Sequence, residues 1–292
     1  MHENELQRRV AESFAVQLNE HGHGFHYAVL NKVKELEEEH RSSWRFEVAE
    51  FPVKVDNRGT RIDFVLMHKE YPLLMVAECK RSNPAYAWWC FIRAPYERSG
   101  RSADQPMVEQ LVYFNGKLSG VKGVALGIGS ITGYHIALPV ATGQKGDSGG
   151  QPRQMIEDAA TQVIRSTNGL INFLGDRRAS VIGGLNDRQW NAHIMNVVFT
   201  TAQLWTTDAE LSATDLATGQ VKPDQLSLAT CPFVAYQYHV TPDIRHHVSL
   251  AGSGATLGEA LDSDSVRTIF IVSVDGIEAF MRRGWTGPIT DA

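Results

Sequence analysis

The stretch Arg61-Ile62-Asp63-Phe64-Val65-Leu66-Met67, followed after a polar break by Leu73-Leu74-Met75-Val76-Ala77-Glu78-Cys79-Lys80, decides the fold. Both runs are dominated by apolar residues, and the break at His68-Lys69-Glu70-Tyr71 has turn-like polarity, so the pair reads as two strands of a hairpin. Upstream, the alternation that begins at Trp44 gives one more strand, and Asn57-Arg58-Gly59 supplies the turn into the next. The expectation is a three-stranded meander over about 44–55, 60–67 and 72–80.

Upstream of the meander, Leu6, Val10, Phe14 and Leu18 recur at helical spacing, as do Tyr27, Leu30, Val33 and Leu36 after Gly22 and Gly24, predicting two amphipathic helices. Downstream, the pattern predicts a helix over about 105–118 and strands near 121–128 and 133–141, and turn chemistry makes 142–152 a surface loop. Over 154–174, Ile156, Ala159, Ala160, Val163, Ile164, Leu170, Ile171 and Leu174 form one helical stripe, followed by an apolar strand from Ile194 to Thr200. Strand, helix and apolar strand are what a crossover back into one sheet requires. The tail adds expected strands near 205–207, 233–240 and 266–274 and a helix from about Gly276 to Arg283.

Residues two apart on a strand share a face, so Glu78 and Lys80 point the same way. A turn at about 68–71 would set Asp63 against Val76, with Glu78 its diagonal neighbour on the same face. Two carboxylates and an ammonium then converge. Burying two carboxylates together is costly unless a cation neutralises them, and their hard oxygens favour Mg²⁺ or Mn²⁺. Such an ion activates water and stabilises charge on a phosphoryl group, while Lys80 orients the nucleophile or neutralises the transition state. The chemistry implied is phosphodiester hydrolysis.

Asp63 followed by Glu78-Cys79-Lys80 resembles the central motif of the PD-(D/E)xK nuclease superfamily, the restriction-endonuclease-like proteins, in an uncharacterised bacterial branch. The resemblance implies a core of helix, three-stranded meander, crossover helix and fourth strand, and it covers roughly residues 1–80 and 154–201. Ile62 stands where the family usually has a proline, and about seventy residues separate the motif from the crossover helix. The family often adds an upstream acid and a helical glutamine. For the acid, Glu12 is preferred over Glu47 and Glu50 as a further metal ligand; for the glutamine, Gln162 is preferred over Gln110, which lies beside Tyr113.

The insertion from Tyr86 to Tyr96 and onward mixes Trp88, Trp89 and Phe91 with Arg93, Arg98 and Arg101. Trp88 and these three arginines are candidate nucleic-acid contacts, by stacking and by pairing with phosphates; core packing is the competing reading for the aromatics. His21, His23 and His26 sit at a glycine-rich break and read as an interhelical turn, and His246-His247 as surface. Gly146-Asp147-Ser148-Gly149-Gly150 reproduces a serine-peptidase nucleophile loop, but the upstream histidine signal is missing and the helical start does not suit that fold.

A net charge of −5 excludes a surface that grips nucleic acid everywhere and leaves room for a local basic groove. Cys79, Cys90 and Cys231 form no CxxC pair and read as ordinary thiols. No run approaches a membrane span and the first residues are polar, so the cytoplasm is the expected location. The sum is a single elaborated α/β domain over 1–292 with a mixed sheet, an insertion at 81–153 and an extension at 202–292. Its expected activity is Mg²⁺- or Mn²⁺-dependent hydrolysis of nucleic acid, DNA and endonucleolytic by preference, in restriction, phage defence or repair. The alternative is an inactive nucleic-acid-binding or assembly protein on the same fold. A two-fold homodimer suits cutting of both strands, and the lack of helicase, methylase or sensor motifs leaves room for a partner or activator.

Overall fold

The computed structural model describes residues 2–20, 22–55, 58–93, 105–114, 117–127, 133–143, 154–176, 192–208, 218–240, 265–283 and 286–288. Helices α1 (His2–Glu20) and α2 (His23–Glu38) precede β1 (Trp44–Val55), β2 (Arg58–His68) and β3 (Leu73–Lys80). Next come β4 (Trp88–Ile92), β5 (Met107–Phe114), β6 (Lys117–Gly127), β7 (Gly133–Tyr134) and β8 (Ile136–Val140), which lead to α3 (Gln154–Asp176). The chain continues through β9 (Ala192–Thr200), β10 (Gln203–Thr207), β11 (Ala229–Cys231), β12 (Phe233–His239) and β13 (Val266–Ser273) to the short α4 (Ile277–Arg282) and β14 (Thr286–Pro288).

The class is mixed α/β. Among the described residues one large mixed sheet runs β1-β2-β3-β9-β13-β12-β7, with β5 paired to β9 and to β6, and β14 paired to β6. A smaller sheet runs β11-β10-β4-β8. The meander is antiparallel, whereas β3 and β9 pair in parallel from Leu73↔His193 to Lys80↔Thr200. A parallel neighbour cannot be reached by a tight turn, and α3 lies in the connection. Because both strands are covered on both faces, their sequences are near-continuous apolar runs rather than alternating ones.

On one face the predicted stripe of α3, from Ile156 to Leu174, packs with Val65, Val76 and Val198. The helix approaches β1 closely at Gly169, where a Cβ would lie 2.5 Å from Val53 Cγ2. On the other face α2 and α4 pack Val29, Leu30, Val33, Leu36, Ile277 and Phe280 against Phe64, Met75, Val197 and Phe270. The helix α1 is different: Leu6, Val10 and Phe14 are 63%, 59% and 62% exposed, so its apolar stripe faces outward.

Residues 105–118, expected as a helix, contain instead strand β5. Val108 belongs to the core on one side of the sheet and Leu111 to that on the other, a two-sided burial that one helical stripe could not provide. Strand β5 is held by a hairpin with β6 and by Glu109↔Ile194 to Leu111↔Ala192 pairing with β9, contacts invisible to local periodicity. The expected strand at 133–141 is split into β7 and β8, which join different sheets. In the expected extension, β12 and β13 lie in the large sheet, β13 parallel to β9. No helix among the described residues is long and apolar enough to cross a membrane. The 144–152 part of the expected surface loop, with Gly146–Gly150, lies outside the described residues, as does His246-His247.

Candidate metal centre

The β2–β3 ladder pairs Val65 with Val76 and Phe64 with Ala77, so its next step sets Asp63 against Glu78. The turn, at 69–72, has the expected length but lies one residue further along the chain, which replaces the diagonal arrangement by a directly opposed one. At this point the ladder opens, and Asp63 Oδ2 accepts a hydrogen bond from the backbone N–H of Cys79 at 2.7 Å. The three residues of the motif are therefore brought together at the end of β3, where Lys80 is half-buried.

Glu78 is only 3% exposed, and its Oε2 has no hydrogen-bond partner. Burial pushes its pKa up to about 9, the negative charge of Asp63 pushes the same way, and Lys80 opposes them. Asp63 is raised too, first by burial, against the Cys79 hydrogen bond and the His26 charge. A carboxyl group deprived of water, paired with a second carboxyl and with one of its oxygens unpartnered, gives up stability unless positive charge arrives. Burial, then Asp63 and Glu78, hold the Cys79 thiol well above the usual range, so it is a neutral wall of the site and not a nucleophile.

A third carboxylate stands beside these two. The β1–β2 register, Ala49↔Phe64 and Phe51↔Ile62, sets Glu50 against Asp63, and the Glu50 charge raises the Asp63 pKa. Glu50 has φ +51°, the left-handed region that a non-glycine residue rarely occupies within a strand. The consequence is a break in alternation, with Ala49 packed on one face of the sheet and Phe51 on the other. Both Glu50 oxygens are engaged: Tyr27 Oη donates to Oε1 at 3.1 Å and Arg61 Nη1 to Oε2 at 3.2 Å. The hydrogen bond to Glu50 raises the Tyr27 pKa.

Glu12, preferred from the sequence as the upstream acid, is not part of this cluster. It lies exposed on α1 and pairs with Arg8 at 3.4 Å, because the stripe of α1 does not pack into the body and so cannot deliver a side chain to β2. Glu47 is likewise engaged on the surface with Arg45, at 2.7 Å. Gln162 is half-buried on α3 and makes no hydrogen bond to Asp63, Glu78 or Lys80; its neighbour Thr161 bonds Tyr238 of β12 at 2.9 Å. Gln110 is buried in β5 with its Nε2 3.1 Å from His193 Nε2.

Of the three histidines expected in an interhelical turn, His23 and His26 lie instead in α2, and His21 lies outside the described residues. His26 occupies the inward position expected for Tyr27, is 6% exposed, and stacks on Phe64 with centroids 6.2 Å apart, while Tyr27 is 48% exposed beside Glu50. The signal was its spacing: His26 precedes Val29, Leu30 and Val33 on one helical face. Of the candidate nucleic-acid contacts, Trp88 is 39% exposed and faces Val140 across the β4–β8 ladder, whereas Trp89 and Phe91 are core residues. Arg93 lies 3.7 Å from Asp208, and Arg98 and Arg101 lie outside the described residues. The three cysteines are free.

Among the described residues no group of three His, Cys, Asp or Glu side chains is placed to hold a metal ion. The donors that converge are two carboxylates, and that number suits Mg²⁺, which keeps several waters and takes one or two protein carboxylates together with substrate phosphate. Comparison of the chain with protein-family models, with curated proteins and with solved structures finds no match.

Proposed function

We propose that this protein is a metal-dependent nuclease, with DNA the preferred substrate and endonucleolytic cutting the preferred mode. The observation that carries the reading is Glu78: a buried carboxyl group with an unpartnered oxygen, opposed to Asp63 and compensated only in part by Lys80. Purely structural packing gives no reason to keep that arrangement, whereas a Mg²⁺ or Mn²⁺ ion neutralises it. When bound, the ion supplies Lewis-acid polarisation of a phosphoryl oxygen and a water of lowered pKa. Asp63 and Glu78 would hold it, the Cys79 N–H orients the Asp63 carboxylate, and the Lys80 ammonium would neutralise charge on the phosphate or position the attacking water.

The order of elements supports the PD-(D/E)xK resemblance: a helix packed on the sheet, an antiparallel meander bearing the motif, a connecting helix, and a parallel strand beside the motif strand. Glu50 replaces Glu12 as the upstream acid in this reading. A role in restriction, phage defence or repair follows from the resemblance alone. The second reading, an inactive nucleic-acid-binding or assembly protein, is favoured by the failure of three ligands to converge among the described residues.

The deciding experiment is cleavage of linear and circular duplex DNA, single-stranded DNA and RNA with Mg²⁺, Mn²⁺ or chelator, for wild type, Asp63→Ala and Lys80→Ala. Metal-dependent cutting that both substitutions abolish supports the nuclease. Cutting that survives both places the active site elsewhere, and folded protein that binds these substrates without cutting any of them favours the second reading.

A further inference from the structure

Glu50 presents a physical puzzle that the nuclease reading alone does not resolve. A glutamate in left-handed backbone is strained, and such strain persists where the surroundings over-determine it. Here the strain turns a strand residue toward Asp63, yet the carboxylate so delivered is held by Tyr27 on one oxygen and Arg61 on the other. The two holds differ in kind. Tyr27 is carried by α2, whose inward face is anchored by Val29, Leu30, Val33 and Leu36. Arg61 is 66% exposed in its side chain and pairs with a carboxylate that is itself 33% exposed. Such an exposed ion pair is worth little and is readily exchanged.

We propose that Tyr27 is a positioning residue of the metal centre, holding Glu50 through Oε1 while Oε2 exchanges Arg61 for a divalent cation shared with Asp63 and Glu78. This inference rests on the metal-site reading above. It explains why three carboxylates adjacent in register do not converge in the resting arrangement: the third is parked on a guanidinium. The exchange also releases Arg61, two residues before Asp63 on β2, as a free fork for a phosphate of the substrate. Cation and phosphate then favour each other, since each takes what the other sets free.

The test is Mn²⁺ binding by the full chain at pH 7, read by calorimetry or by the electron spin resonance of free Mn²⁺, with thermal unfolding as the check on folding. Tyr27→Phe keeps the ring and removes the hydroxyl; it is expected to weaken Mn²⁺ about three- to tenfold without lowering Tm, the range a partly exposed hydrogen bond to a charged group supports. In Glu50→Gln, which removes the ligand itself, a loss at least as large is expected, and adding Tyr27→Phe to it should cost nothing more, since the hydroxyl acts only through that carboxylate. Arg61→Gln should tighten Mn²⁺ by up to about fivefold. If Asp63→Ala binds Mn²⁺ as well as wild type, or wild type does not bind it, the metal-site reading fails and takes this one with it. If Asp63→Ala abolishes binding while Tyr27→Phe leaves it unchanged, adds to Glu50→Gln, or acts only by lowering Tm, the positioning role alone is refuted. A weaker Mn²⁺ affinity in Arg61→Gln refutes the exchange.

Discussion

Replacing Glu78 by glutamine should stabilise the metal-free protein at alkaline pH while abolishing the proposed nuclease activity. The sign follows from proton linkage. The folded Glu78 carboxyl has its pKa raised from 4.5 to about 9, so between those values the folded state holds a proton that the unfolded state has released. The stability this contributes is fully present below pH 4.5 and is lost as pH rises through about 9. One proton corresponds to about 1.4 kcal/mol per pH unit, so between pH 7 and 8.5 the wild type should lose about 2 kcal/mol that the glutamine variant keeps. The group is 3% exposed, so solvent screening takes little from this figure. Other groups titrate too, and the difference between wild type and variant removes them to first order. The assay is denaturant unfolding in chelator at pH 7, 7.75 and 8.5, repeated with Mg²⁺. Magnesium should raise wild-type stability and leave the variant unchanged. Equal pH slopes for the two proteins, or a variant less stable than wild type at pH 8.5, would falsify the claim that this carboxyl is held at its own cost for a cation.

Three further outcomes are expected. Glu12→Ala, on an exposed stretch of α1, should leave Mn²⁺ affinity and cleavage within about twofold of wild type, the range expected of a surface pair; a loss beyond fivefold would return α1 to the site. Burial holds the pKa of His193 down to about 4, so its contribution to stability is present above pH 6.5 and is lost as pH falls through 4. Acid unfolding should therefore show up to about 3 kcal/mol of pH dependence in this window that His193→Gln removes, and an unchanged slope in the variant would refute the assignment. At Gly276, before α4, a Cβ would lie 2.0 Å from the carbonyl oxygen of Pro232, so Gly276→Ala should cost about 3 kcal/mol in a urea titration; a cost under 1 kcal/mol would mean that the two backbones move apart freely.

The motif, the meander and α3 were legible because each is written in local pattern: two apolar runs around a polar turn, and an unbroken stripe from Ile156 to Leu174. Close opposition of Asp63 and Glu78 follows from a short hairpin, and a turn displaced by one residue still left them on neighbouring positions. Long-range pairing decided the rest. The run Met107–Phe114 satisfies a helical period, yet β9, some eighty residues onward, and the β6 hairpin make it a strand with burial on both sides. Which histidine of the glycine-rich break turns inward depends on how α2 rotates against Phe64. Glu50 rather than Glu12 stands beside Asp63 because strand register and a left-handed backbone place it there, while α1 leaves Glu12 in water. What could be read from the chain alone was that Asp63, Glu78 and Lys80 meet on β2 and β3, since neighbours on a hairpin are close in the chain. Tertiary structure alone decided what surrounds them, because the free energy that sets register and helix rotation comes from surfaces that meet only when the sheet is assembled.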